Sequence, residues 1–420
     1  MEGSPPYSVM IEWMTPTNEV DRLIADHEAW RSTTLNLIAS ENLISPAVRR
    51  ALNNDLVGRY TDYTGRDLDA RRYRGNRYVV EIEKHTEALA KRVFRASEVD
   101  LRPLSGHIAG ACVILGLCQP GDLILEVGSS GGSHRMAAKL TAPAAVSITS
   151  QFLPFDEARW NVDLPATLRL IEQTRPKMVI LGNSAFLFPH PVRDIAAALH
   201  QIPDSVLVYD GSHVMGLIAG GLFQDPLEEG ADIVYGSTHK TLPGPQGGIL
   251  YSNSSSLMDR IADAIYPALI TNHHSFRMPA LAATLDEMAQ FGGDYARQTI
   301  ANAQALGAAL AALSVPPLTV DNIATQSHTL LVPVAQFSPN AAERLETCGI
   351  ILNNFRVPEA LGGAGLRLGT QEITRMGAVE ADMPAIAEVI VAALAGREAP
   401  DVLTGRVRSL VQAVPGLAFA

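Results

Sequence analysis

The segment GSTHKTLPGPQGG, Gly236 to Gly248, follows the apolar run ADIVYG and carries a lysine, Lys240, directly after His239. A lysine amine condenses with aldehydes, and does so better where desolvation lowers its pKa. On position alone Lys240 reads as a solvated loop residue; its company changes that. In VYDGSH an acid, Asp210, closes an apolar run and His213 follows three residues later. A carboxylate so placed either caps the next turn or pairs with a protonated pyridine nitrogen and keeps that ring an electron sink. In RPLSGHIAGACVIL, Ser105, Gly106 and His107 precede a helical pattern. Free N–H groups and the helix dipole there make a cradle for phosphate. The run SSGGSH adds His134, which either sits in a turn or lies over a flat ring.

Each signal is weak alone, but their order points to pyridoxal phosphate held as a lysine imine. No Walker lysine motif or GxGxxG run follows a strand-like segment, which disfavours nucleotide cofactors.

The elements that must position these groups are legible as well. Between about residues 85 and 250 the runs DLILEV, AAVSI, KMVILG, SVLVYD and ADIVYG alternate with helical patterns such as LPATLRLIEQT and VRDIAAALHQI. Short β-rich runs separated by helices predict an α/β fold, a mostly parallel sheet with helices on both faces. Such sheets bind ligands at the carboxyl ends of their strands. The loops LGNSAF, YDGSH and GSTHK all leave such ends. Residues 1–16 read as a frayed arm, 17–31 as a helix, and MPALAATLDEMAQFGGDYARQTIANAQALGAALAAL as a long helical stretch broken at FGG. We divide the chain into an arm and helix (1–33), a large domain (34–295) and a smaller α+β domain (296–420).

Composition sets the outer limits. A chain of 420 residues, 47% hydrophobic and 18% charged, is globular and long enough for two packed units. A net charge of −11 disfavours nucleic acid as a partner. Cys112, Cys118 and Cys348 form no CxxC pair, so neither a disulfide framework nor a thiolate metal site is expected. The N-terminal residues lack a secretory pattern, and no run of eighteen apolar residues predicts a membrane span. A cytoplasmic protein is the expectation.

LIASEN, RPLSGHIAG, VYDGSHVMGLIAGG, STHKTLPGPQGG and GLRLGTQEITRMG together resemble the serine hydroxymethyltransferases and their close relatives, over roughly residues 17–400. The resemblance implies the aspartate-aminotransferase-like fold of pyridoxal-phosphate enzymes, with the imine on Lys240. It places Asp210 at the pyridine nitrogen, His213 beside the phenolic oxygen, and His134 over the ring, with Ser133 as the alternative. Ser105, Gly106 and His107 match a phosphate-binding S-G-S, with histidine for the second serine. Ser184 and His239 match further positions near the cofactor, and Arg367 matches the arginine that grips the substrate carboxylate. Ser40 and Glu41 match a loop expected to approach the amino acid from a neighbouring subunit, and Tyr60 a tyrosine of the same region. Thr271 and Asn272 replace a glycine pair that reaches the partner's phosphate, which implies a homodimer with shared sites.

The tetrahydrofolate side departs from the pattern. YTDYTGRDLDARRYRGNRY carries an insertion, RDLDAR, and Asp62 stands near the usual glutamate with a shorter side chain. Arg74 replaces a tyrosine and Gln246 an arginine; Asn354 lies near, but out of line with, a pterin-contacting asparagine. The implied activity is hydroxymethyl transfer between a β-hydroxy amino acid (serine or α-methylserine) and tetrahydrofolate by retro-aldol cleavage. Glu41 or Asp62 is the candidate acceptor of the β-hydroxyl proton. The alternatives are a folate-independent threonine aldolase or transaldolase and, from another class, a non-catalytic relative that keeps the cofactor for binding.

Overall fold

The computed structural model describes residues 18–142, 147–337 and 340–420. The expected arm at 1–16 lies outside them; the helix after it is Glu19–Arg31, opened by Asn18, whose side chain accepts the Asp21 N–H at 3.0 Å.

Seven strands form the central sheet: β1 Glu98–Asp100, β2 Leu123–Val127, β3 Thr149–Leu153, β4 Met178–Gly182, β5 Val206–Asp210, β6 Ile233–Ser237 and β7 Gly248–Ser252. Their order is β1-β7-β6-β5-β4-β2-β3, and β7 alone runs against its neighbours. Strands β4 and β6 are buried along their whole length, as expected where helices cover both faces. Successive side chains alternate between two cores. Val179, Leu181, Leu207, Tyr209 and Val234 enter one, and Met178, Ile180, Val206, Val208 and Ile233 the other.

One expectation falls largely outside the described residues and another needs correction. Of the strand expected at AAVSI, Ala144–Val146 lie outside the described residues; the strand seen next is Thr149–Leu153. As the sheet's edge it exposes much of its length, so it lacks the apolar run that marks the inner strands. The break expected at FGG is absent, because Met278–Ala312 is one continuous helix. A helical glycine costs about 1 kcal/mol relative to alanine. Here Gly292 lets the helix approach Gly220 so closely that a Cβ on Gly220 would collide with the Gly292 carbonyl.

That helix carries the chain into the smaller unit, so the 295/296 division falls within it. There β8 Thr329–Pro333, β9 Asn353–Arg356 and β10 Ala364–Gly369 form an antiparallel sheet in the order β8-β10-β9. The helix Met383–Ala395 and residues Leu403 and Val407 of Pro400–Ala413 complete its core. Leu35 and Leu37 join this second core, and Leu35–Asn36 pairs in parallel with Ile350–Ile351. The segment that follows, Ile38–Asn42, is thereby brought to the junction of the two units.

Candidate active site

A cavity of about 150 Å³ opens at the carboxyl ends of β4, β5 and β6. Ser105, Gly106, His107, His134, Ser184, Asp210, His213 and Lys240, all expected from sequence, line it together. β5 ends in Asp210, whose Oδ1 accepts the Ser212 N–H at 3.0 Å. Gly182, at the end of β4, admits this arrangement: a Cβ there would stand 2.5 Å from the Asp210 Cβ.

The anion cradle is built from a helix start and two strand-end loops. Ser105 caps Gly106–Leu117, its Oγ accepting the Ile108 N–H at 3.1 Å. A Cβ on Gly106 would lie 2.6 Å from Ser237 Oγ and 2.8 Å from Ser212 Oγ. The missing side chain thus leaves room where two hydroxyls converge on a helix N-terminus, a donor set suited to a phosphate. Ser212 and Ser237 stand within motifs noted in the sequence, yet nothing local distinguishes them from turn residues.

Burial pushes the Lys240 amine down to about 8; the Asp210 carboxylate opposes this and the Arg367 guanidinium adds to it. An amine so shifted is largely unprotonated at mildly alkaline pH, the form that attacks a carbonyl. Its loop is fixed from several sides. Asn42 Nδ2 donates to the Lys240 carbonyl at 2.7 Å, and Tyr295 donates its hydroxyl hydrogen to the Thr241 carbonyl at 2.9 Å. Thr241 Oγ1 donates to the His213 carbonyl at 2.8 Å and accepts the Gly216 N–H at 2.9 Å.

His213 is buried and kept neutral, first by desolvation and then by Lys240 and Arg367. Its ring stacks 6.3 Å from His328, whose Nε2 lies 3.2 Å from the Ala39 carbonyl. His239 does not line the cavity; burial lowers it to about 4, and its Nδ1 has no partner among the described residues. Arg367, on β10, donates from Nη1 to the Ser184 carbonyl at 2.8 Å, with its guanidinium 5.3 Å from the centre of the Phe355 ring. Its Nε is buried with no partner among the described residues, and desolvation lowers the group to about 10. An arginine with an unsatisfied donor beside the cavity is poised for a carboxylate.

The SEN loop lies against its own chain's lysine: Gln371 Nε2 ties the Ile38 and Glu41 carbonyls at 2.7 and 2.6 Å, and Asn42 reaches Lys240. Ser40 and Glu41 do not line their own chain's cavity, and the Glu41 carboxylate is engaged by Arg31 at 2.7 Å.

Tyr60, Asp62, Thr271 and Asn272 also lie outside their own chain's cavity. Tyr60 and Thr271 are exposed and Asn272 is half-buried. Asp62 is buried, its Oδ1 without a partner among the described residues; desolvation lifts its carboxyl, while His273, Arg72 and Arg71 pull the other way. The RDLDAR insertion is bolted to the body of its own chain. Arg66 pairs with Glu98 and Asp259, Asp69 with Lys84, and Arg71 with the buried Glu83, which also bonds His273 at 2.6 Å. The guanidinium carbons of Arg71 and Arg102 lie 4.7 and 4.5 Å from the centre of the Tyr63 ring.

Among the described residues no helix is long and apolar enough to cross a membrane, and no cluster of side chains could hold a metal ion. A buried, depressed lysine facing a strand-end aspartate, with an anion cradle alongside, fits pyridoxal phosphate. Fold and site together define an aspartate-aminotransferase-like pyridoxal-phosphate enzyme.

The serine hydroxymethyltransferase family model matches residues 15–390. The chain is 41% identical over 390 residues to the serine hydroxymethyltransferase of Methanopyrus kandleri, covering 91% of this chain and 90% of that one. With the Pyrococcus abyssi enzyme of that name it shares 39% over 395 residues, 91% and 92% of the two chains. Among solved structures it is similar to the L-threonine transaldolase of Pseudomonas fluorescens in its internal aldimine state, with TM-score 0.89 and 28% identity over 96% of this chain and 92% of that one. The chain belongs to the serine hydroxymethyltransferase family.

Proposed function

We propose that this enzyme transfers a hydroxymethyl group between a β-hydroxy amino acid, serine or α-methylserine, and tetrahydrofolate, by retro-aldol cleavage. Pyridoxal phosphate, when bound, supplies the electron sink for bond breaking at the amino acid's α-carbon. Ser105, Ser212, Ser237 and the Gly106 N–H hold its phosphate, and Lys240 carries it. Asp210 keeps a proton on the pyridine nitrogen, and His213 and Ser184 flank the cofactor. Arg367 fixes the substrate carboxylate through a fork of N–H donors.

Tyr60, Asp62, Thr271 and Asn272, which lie outside their own chain's cavity, serve a second copy of the chain in a homodimer. Asp62, its carboxyl lifted by burial, holds the β-hydroxyl proton there. The observation that carries this reading is the buried Lys240 amine, pushed down to about 8, sharing one cavity with Asp210 and the Gly106 cradle.

A second reading, a folate-independent threonine aldolase or transaldolase, draws support from the similar transaldolase structure and from the altered 60–76 segment. The holoenzyme incubated with L-serine, α-methylserine and L-threonine, with and without tetrahydrofolate, separates the two. Glycine from serine, or D-alanine from α-methylserine, that forms rapidly only with folate is the expected result. Acetaldehyde released from threonine at a rate indifferent to folate, with serine and α-methylserine inert, would overturn it in favour of the second reading.

A further inference from the structure

Two departures from the family pattern, histidine for a serine at position 107 and the one-residue displacement of His134, meet at the mouth of the cavity. His107 Nδ1 stands 3.0 Å from His134 Nε2, with the rings edge-on at 88° and their centroids 5.2 Å apart. Behind them Lys139 Nζ is 3.3 Å from His134 Nδ1.

The donors set the polarity of this row. An ammonium only donates, so His134 Nδ1 accepts from Lys139. His134 then carries its hydrogen on Nε2 and gives it to His107 Nδ1, which leaves the His107 hydrogen on Nε2. That arrangement needs neutral rings. Burial lowers both histidines, Lys139 acts in the same direction, and Asp210 opposes it; His134 also feels His107 and Lys240. The His107 Nε2–H is the free end of the row, without a partner among the described residues. It belongs to the first turn of the helix that opens at Gly106, beside the cradle.

We propose that Lys139, His134 and His107 act as one donor chain, in which Lys139 is a positioning residue and His107 donates to the cofactor's phosphate in place of the missing serine hydroxyl. The same chain holds the His134 ring in its orientation. This inference rests on the cavity's being a pyridoxal-phosphate site and is independent of which amino acid or acceptor the enzyme uses.

The test is equilibrium titration of the cofactor-free protein, followed by absorbance, with pyridoxal phosphate and in parallel with pyridoxal, which lacks the phosphate. His107→Ala should weaken pyridoxal phosphate about tenfold or more and leave pyridoxal within about twofold, since only a charge-assisted hydrogen bond is lost. His107→Ser, which restores a hydroxyl, should recover most of the loss. Lys139→Met should weaken pyridoxal phosphate by roughly threefold to tenfold, with Lys139→Arg, still a donor, rescuing it. All three side chains lie at the surface, so thermal melting of these variants should match the unaltered protein. Equal losses for both ligands, or undiminished affinity in His107→Ala or Lys139→Met, would overturn the donor chain while leaving the cofactor reading intact. An unaltered protein that binds neither ligand would overturn the cofactor reading and this inference with it.

Discussion

Beside Lys240 several buried polar atoms lack a partner among the described residues; in the 60–76 segment the charged side chains are mostly matched. His213 Nδ1, His239 Nδ1 and Arg367 Nε are buried beside the lysine with no partner among the described residues. Arg66, Asp69, Arg71 and Arg72, by contrast, each hold a partner on the chain's own body. Buried polar groups left unsatisfied cost folding free energy, so a protein keeps them where a ligand will satisfy them. Matched groups make a scaffold. Within the segment, Asp62 keeps a buried Oδ1 that has no partner among the described residues.

The comparison can be broken or sharpened by substitution. The largest effect is expected at Lys240→Ala, which should lose measurable turnover with every substrate while retaining the fold, as checked by circular dichroism. Asp210→Asn should lower turnover on the order of 100- to 1,000-fold, because a charge facing the reacting system is removed. On the scaffold side the readout changes from activity to stability. Arg71→Met leaves Glu83 buried with only His273, and should cost about 3 kcal/mol in denaturant unfolding. If Arg71→Met left stability intact, the segment would be a lid and not a scaffold. Asn42→Ala removes the donor to the Lys240 carbonyl, and should cost about 1–3 kcal/mol and slow cofactor uptake.

The smallest effect is a shift along the pH axis. Uptake of pyridoxal phosphate by the cofactor-free protein requires the neutral amine, so its rate should rise with pH and level off above about 8. Arg367 depresses that amine, so Arg367→Met should move the midpoint upward; Asp210 raises it, so Asp210→Asn should move it downward. Stopped-flow absorbance measures both.

What could be read from sequence follows the same division. Asp210, Lys240 and the Ser105–His107 turn announce themselves because each stands at a strand end or helix start defined by its neighbours in sequence. Asn42 and His328 do not. Asn42 reaches the lysine loop across nearly two hundred residues, and His328 meets His213 only once the two units have packed. The insertion was opaque for the same reason, since Glu83, Glu98 and Asp259 are remote in sequence. At FGG, local helix propensity gave the wrong answer because the contact with Gly220 decides. At AAVSI, Ala144–Val146 lie outside the described residues, and the strand seen there is the edge strand Thr149–Leu153, whose exposure hides it from an apolar-run criterion.

Reduction of the holoenzyme with borohydride fixes any pyridoxal group held covalently on a lysine, and peptide mass mapping then locates it. The account predicts the added mass on the peptide containing Lys240. A label on Lys139, which lies against His134, or on no lysine at all, would contradict it.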